Sequence, residues 1–242
     1  VPPQASRLRR LAGRSAEQAA AAAQDQDDGI ERCELCHEPI APEHRHLVAV
    51  DSRELLCACR ACTILFDSRA ASAGRYRLVP DRRLRLEGFQ LDDAQWEGLC
   101  IPVEMAFFFH ATPAGRVVAF YPSPAGATES TLELEAWRGI ATANPVLDEL
   151  ENDVEALLVN RAAGTRGHWI VPIDECYSLV GLMRSGWQGL SGGTKVWKEL
   201  ESFFADLDRR ARSASARGQA TQANAATAIG AGGREEVAPW RT

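Results

Sequence analysis

Lysine is almost missing from this chain. Of its 27 basic residues only Lys195 and Lys198 are lysine, which leaves 25 arginines. With the many alanines, this is the mark of a GC-rich coding bias, and the arginines are not read as a nucleic-acid footprint. The formal net charge of −6 excludes a general phosphate-binding surface, because non-specific affinity for nucleic acid comes from clustered cations. Long apolar runs are missing too. No stretch approaches the roughly 20 residues that cross a bilayer. Residues 1–29 carry Arg7, Arg9, Arg10 and Arg14 but no apolar h-region, so no secretory signal is expected. Internal repeats are absent. These absences lead to the expectation of a cytoplasmic protein with no membrane span. In that reducing compartment closely paired cysteines bind metal or do redox work more often than they form disulfides.

What is present is an ordinary globular composition, 242 residues with 45% hydrophobic and 25% charged side chains, enough to bury a core unaided. Four regions are expected. Residues 1–29 are alanine-rich and read as disordered or loosely helical. Residues 30–70 hold five of the seven cysteines and read as a metal-binding module. Residues 71–210 form the main body, and residues 211–242 are an Ala/Ser/Gly/Gln tail read as disordered.

In the body, Tyr76 to Val79 and Leu84 to Leu86 read as strands about a turn at Pro80-Asp81. Asp92 is placed to cap a short helix that presents Trp96 and Leu99. Ile101 to His110 is apolar on both strand faces and reads as a central strand. Ala114-Gly115 turns it into a hairpin with Arg116 to Tyr121. Leu132 to Ala143 reads as a helix stopped by Pro145, with a short turn over Val146 to Leu150. Val154 to Val159 and Trp169 to Ile173 read as two further strands. Two amphipathic helices follow. One is expected to be capped by Asp174 and to bury Cys176, Leu179, Val180 and Met183; the other is expected to be capped by Thr194 and to bury Val196, Leu200, Phe203, Phe204 and Leu207. Strands and helices do not alternate strictly. The predicted fold class is α+β, a small zinc-ribbon or rubredoxin-like module followed by an antiparallel-sheet α+β domain.

The chemistry concentrates in Cys33-Glu-Leu-Cys36-His37 and Cys57-Ala-Cys59-Arg-Ala-Cys62. A C-x-x-C turn sets two thiolates on one side of a tight loop. Two such turns supply four soft ligands in a tetrahedron, which suits zinc, or iron in a rubredoxin-type centre. Cys33, Cys36, Cys59 and Cys62 are therefore the predicted metal ligands. Between them Leu47 to Val50 and Leu55-Leu56, separated by Asp51 to Glu54, predict a β-hairpin. Cys57 is a fifth cysteine able to replace Cys59, although the spacing favours Cys59. His37, His44 and His46 are read as loop histidines or as contacts to the metal ligands.

Three other chemistries are weighed. Cys33 to His37 matches the C-x-x-C-H haem-attachment pattern, but haem would leave the second pair unexplained. An iron site expects small residues in and after the turns, whereas Glu-Leu-His and Arg-Ala-Thr stand there. An HNH-type nuclease also frames its site with two such turns. Here Arg45 stands where an acidic residue should precede His46, and Thr63-Ile64-Leu65-Phe66 stands where His or Asn should follow Cys62. Residues 30–69 carry seven acidic and five basic side chains, a local charge of about −2. Elsewhere Tyr121 to Ser130 reads as a long loop, either functional or a plain connector. Gly189 to Thr194 reads as a helix cap or an anion site; it lacks P-loop spacing, since Lys195 follows Thr194. Asp174 and Glu175 are a cap or acid–base groups. Trp96, Trp137, Trp169, Trp187 and Trp197 read as core or groove residues, and Cys100 and Cys176 as buried small apolar ones.

Taken together, Cys33-Glu-Leu-Cys36, His44-Arg-His46-Leu, Leu55 through Cys62, Arg75 through Pro80, Val118 through Ser130 and Asp153 through Leu158 resemble an uncharacterised actinobacterial family over residues 30–210. Members of that family neighbour genes of uptake nickel–iron hydrogenases of the high-affinity, air-tolerant type. The resemblance implies an accessory role in assembly, metal-cluster handling or electron transfer, with a hydrogenase subunit or maturation factor as protein partner. His37 stands where such zinc turns often carry glycine.

Overall fold

The structure, a computed structural model, describes residues 30–67, 70–130, 134–189 and 192–217. The expectations for residues 1–29 and 218–242 lie outside the described residues.

The described residues open with a tight loop bridged between Arg32 and Pro39. Strands β1 (Arg45–Ala49) and β2 (Glu54–Ala58) then form the expected hairpin, and helix α1 (Arg60–Asp67) follows directly. β3 (Tyr76–Leu78) pairs antiparallel with β1, not with the next strand. The two strands expected about Pro80-Asp81 both form but join different sheets, and the first sheet, ordered β2-β1-β3, reaches past residue 70. The physical reason is competition for an open edge: β1 offers unpaired backbone groups to the first extended segment that returns beside it.

The main sheet has seven strands. β4 (Leu84–Glu87) is followed by helix α2 (Asp93–Gly98), then by the long β5 (Met105–Ala111), β6 (Arg116–Ser123) and β7 (Gly126–Ser130). Helix α3 (Leu134–Ala143), β8 (Glu155–Asn160), β9 (Gly167–Pro172), helix α4 (Ile173–Gly186), helix α5 (Gly193–Arg210) and β10 (Arg212–Ser215) complete it. The order is β10-β4-β9-β8-β5-β6-β7. All neighbours are antiparallel except β10 and β4. The mixed α+β class is thus as expected.

Period-two alternation explains why β5 is apolar from Met105 to Phe109. Phe107 and Phe109 face α4, α5 and the first sheet, alongside Val48 and Val79. Ala106 and Phe108 face the opposite layer, with Trp96, Leu99, Trp137 and Ile140 of α2 and α3. Both faces are covered from Met105 to Phe109, and the polar His110 comes only where burial becomes partial.

Several local expectations are corrected. Residues 121–130 are not a loop: β7 pairs with β6, and only Pro124 and Ala125 turn the chain. Asp92 caps α2 through a reciprocal pair with Gln95, but Asp174 and Thr194 cap nothing. The N-cap positions of α4 and α5 belong to Pro172 and Gly192, and Gly192 adopts a φ of +83°. Within the expected tail, β10 adds to the edge of β4 and Ala216 is buried. Its Arg-Ser-Ala-Ser sequence carries no apolar pattern, so backbone pairing with an open edge places it. Cys176 is buried as expected, whereas Cys100 is exposed. Trp96, Trp137 and Trp169 are core residues, and Trp197 is 40% exposed.

Many arginines are engaged within the fold. Arg82 grips the fully buried Glu155 carboxylate at 2.8 and 2.6 Å. Arg83 and Arg210 both reach Glu175, each at 2.7 Å.

Candidate metal centre

Two short pieces of backbone bring the four cysteines together. In the first, His37 N–H donates to Cys33 O (2.8 Å) and Cys33 N–H to Glu38 O (2.8 Å), closing a turn that carries Cys33 and Cys36. The turn needs a left-handed residue, and His37 supplies it at φ +62°. The second piece is the entry to α1. Cys59 precedes the helix, its sulfur accepts from Cys62 N–H at 3.5 Å, and Cys62 sits in the first turn. The second pair therefore comes from a helix start, where the sequence led to the expectation of a second tight turn. The two pieces are tied by a reciprocal pair: Glu34 N–H donates to Cys57 O (2.9 Å) and Cys57 N–H to the Glu34 carboxylate (2.6 Å).

The ligand atoms of Cys33, Cys36, Cys59 and Cys62 all lie within 4.8 Å of one another. Cys36 and Cys59 sulfurs are 3.5 Å apart, and all seven cysteines are free thiols. A zinc tetrathiolate with bonds of about 2.3 Å has sulfur–sulfur edges of roughly 3.8 Å, so the cluster fits a metal of that size with small adjustments.

The electrostatics also call for a cation. Burial raises the Cys33 thiol, but hydrogen bonds from the backbone of Cys59, Leu35 and Cys36 and from the Cys36 thiol outweigh it and lower the pKa to about 6. Burial and hydrogen bonds with Cys36, Cys33 and Cys59 push Cys62 far up. Negative charges this close repel one another, and a cation held among the four sulfurs would offset that repulsion.

The small core around the site is built in part from the candidate ligands. Cys33, Leu47, Ala58 and Cys62 are its buried members, with Leu35, Ile40, Leu56, Phe66 and Leu78 packed against them.

The other predicted residues divide. His37 is exposed at the turn. His46 reaches across to α4, where its Nδ1 lies 2.9 Å from Asp174 Oδ2. Asp174 is thus neither a cap nor an isolated acid, and no local pattern could have shown this contact between residues 128 positions apart. His44 Nδ1 lies 2.9 Å from Ala41 O and 3.4 Å from the Glu31 carboxylate. Cys57 is half-buried beside the four-cysteine cluster. Burial and the Glu34 and Glu31 carboxylates push its thiol up. Arg45 bonds Val79 O at 2.7 Å and pairs with Asp81 at 3.2 Å.

Fold and site together define a mixed α+β protein whose N-terminal sheet carries a four-cysteine cluster able to hold a metal ion. The chain belongs to the DUF5947 family, a family of unknown function, which matches it over residues 32–211. That stretch begins beside Cys33 and ends as β10 starts. No curated protein and no solved structure matches the chain.

The strained turn gives a direct prediction. Left-handed backbone is open to glycine and costly for a β-branched residue. In zinc competition against a chromophoric chelator, His37→Gly is expected to bind as tightly as the parent or tighter. His37→Val should lose about 1 kcal/mol, roughly fivefold in affinity. Equal affinities for the two variants would show that the turn does not constrain the site.

Proposed function

We propose that this chain is a metal-binding accessory protein. Its four cysteines hold a structural zinc ion, and the module so stabilised docks on a cytoplasmic protein partner, a subunit or maturation factor of a nickel–iron hydrogenase. The observation that carries the metal reading is the convergence of four thiols within 4.8 Å. Zinc is favoured over iron by the bulky Glu-Leu-His and Arg-Ala-Thr residues in and after the turns. A docking role is supported by α1, whose Ile64 and Leu65 are 67% and 56% exposed beside the ligand Cys62. Ile64 lines a groove with Ile40, His44, Ala58 and Thr63. Paired exposed apolar side chains next to a rigid metal centre suit a protein contact. The hydrogenase as partner rests on the sequence resemblance over residues 30–210. A rubredoxin-like iron electron carrier is the second reading. It draws support from Cys36, which is exposed and would bring one metal ligand to the surface.

Metal analysis and a visible spectrum of protein purified without oxygen separate the two. The expected result is a colourless protein with at least one equivalent of zinc, lost in Cys59→Ser; a red ferric tetrathiolate would replace the zinc reading with the iron one. Affinity capture from a native host expressing its hydrogenase should recover a hydrogenase-related protein, and an Ile64→Ser/Leu65→Ser variant should lose it. Capture that recovers none would remove the proposed partner. Metal-dependent DNA cleavage abolished by His46→Ala would instead point to a nuclease.

A further inference from the structure

A second group of ligand-type side chains stands beside the four-cysteine cluster. His46 and Cys57 are direct partners across the β1–β2 ladder, so they project on the same face. His44 lies just before β1, and its ring meets that of His46 edge-on at 4.9 Å. One ligand atom from each of His44, His46 and Cys57 falls within 4.8 Å of the others. None of the three belongs to the C-x-x-C pairs.

The two imidazoles are oriented in a particular way. His44 Nδ1 lies against the Ala41 carbonyl and His46 Nδ1 against the Asp174 carboxylate, both at 2.9 Å. Carbonyl and carboxylate oxygens only accept, so each Nδ1 is the donor and, in a neutral ring, Nε2 is the nitrogen left to bind a metal. The His44 side chain is 10% exposed, and its Nε2 is buried without a hydrogen-bond partner. A buried lone pair with no donor is unfavourable unless something electrophilic meets it. A histidine held at Nδ1 by a carboxylate, with Nε2 free, is the arrangement by which proteins orient metal-binding imidazoles.

We propose that His44, His46 and Cys57 form a second metal site, distinct from the four-cysteine centre. It takes a borderline divalent ion of the zinc class through two imidazole nitrogens and one thiolate. Asp174, on α4, is the positioning residue for His46. On binding, the Cys57 sulfur forms a bond to the metal and its proton leaves to solvent. Three protein ligands leave the fourth tetrahedral position for water or an exogenous ligand, unlike a closed tetrathiolate. The site also joins β1 and β2 to α4, so its occupancy is felt by the main body.

The test uses cobalt(II) as the probe, added at one equivalent to the full chain as purified with zinc. The expected result is visible d–d bands with a thiolate-to-cobalt charge-transfer band. Cys57→Ser should lose the charge-transfer band. His44→Ala and His46→Ala should each lose the d–d bands while the zinc content of the four-cysteine centre is unchanged. Asp174→Asn should keep the bands and weaken binding by about 10–100-fold. Absence of cobalt bands in the parent, or bands that survive all three ligand substitutions, would overturn the proposal. Bands that vanish in Cys59→Ser but persist in Cys57→Ser would mark exchange into the four-cysteine centre, and would equally overturn it while leaving that centre intact.

Discussion

Removal of the metal, by chelation or by Cys59→Ser, is expected to abolish hydrogen-exchange protection at residues 32–39 and in α1 while leaving β5, β8, β9 and α5 protected. The argument is one of relative magnitudes. The small core has four buried members, two of which are the ligands Cys33 and Cys62. Without the metal its largest fully buried side chain is Leu47, worth about 1.5–3 kcal/mol on burial. Structural zinc contributes roughly 10–16 kcal/mol in small modules at neutral pH, so an ion held as proposed would decide whether the turn and the helix entry stay folded. β5, β8 and β9 depend on other contacts. Phe107 of β5, Leu158 of β8 and Trp169 of β9 are fully or almost fully buried in the main cluster, which contains none of Cys33, Cys36, Cys59 and Cys62. The hairpin lies between these limits. Val48 and Leu55 pack into the main cluster, and Tyr177 OH donates to Arg53 O at 3.3 Å. β1 should therefore keep part of its protection. Equal loss across α5 would show one cooperative unit; full retention in α1 would show that the ion is not structural.

Acidification is expected to destabilise the main body through His168. Burial, followed by the nearby positive charges of Arg161 and Arg166, lowers its pKa from 6.5 to about 4. The ring stacks on Phe89 at 4.6 Å, and its Nε2 is buried without a partner. Because the folded-state pKa lies below the unfolded one, the unfolded chain binds the extra proton between those values. Stability is thus full above about pH 6.5, falls through the window, and is lowest below about pH 4. The full difference is about 3 kcal/mol, and about 2 kcal/mol of it is lost by pH 5. Acid also releases metal from thiolates, so the informative quantity is a difference between variants sharing the same cysteines. Urea unfolding followed by tryptophan fluorescence at pH 7.5 and pH 5 should show a smaller pH effect in His168→Gln, by about 2 kcal/mol. An unchanged pH effect would remove His168 as its source.

Local pattern alone determined a good part of this molecule. The spacing of Cys33, Cys36, Cys59 and Cys62 is a statement about short loops, and short loops bring their own side chains together whatever the rest of the chain does. The same holds for the Asp92 cap, for the hairpin turned at Gly115, and for the apolar stripe of α4. Each depends on residues only a few positions apart. His37 also announced itself, since a position where such turns often carry glycine proved to have a positive φ.

What tertiary structure decided involves partners distant in sequence. β3 could pair with β1 or with β4, and its Tyr-Arg-Leu pattern suits either; the open edge of β1 chose. β10 has no apolar signature and is a strand because β4 presents unpaired backbone groups to it. Asp174 reads as a helix cap in one dimension, but packing α4 beside the first sheet brings its carboxylate to His46. His44, His46 and Cys57, by contrast, meet through the β1–β2 register alone. Hydrogen bonds and metal ligands act over a few ångströms of space, and only the packed fold converts long separations in sequence into such distances.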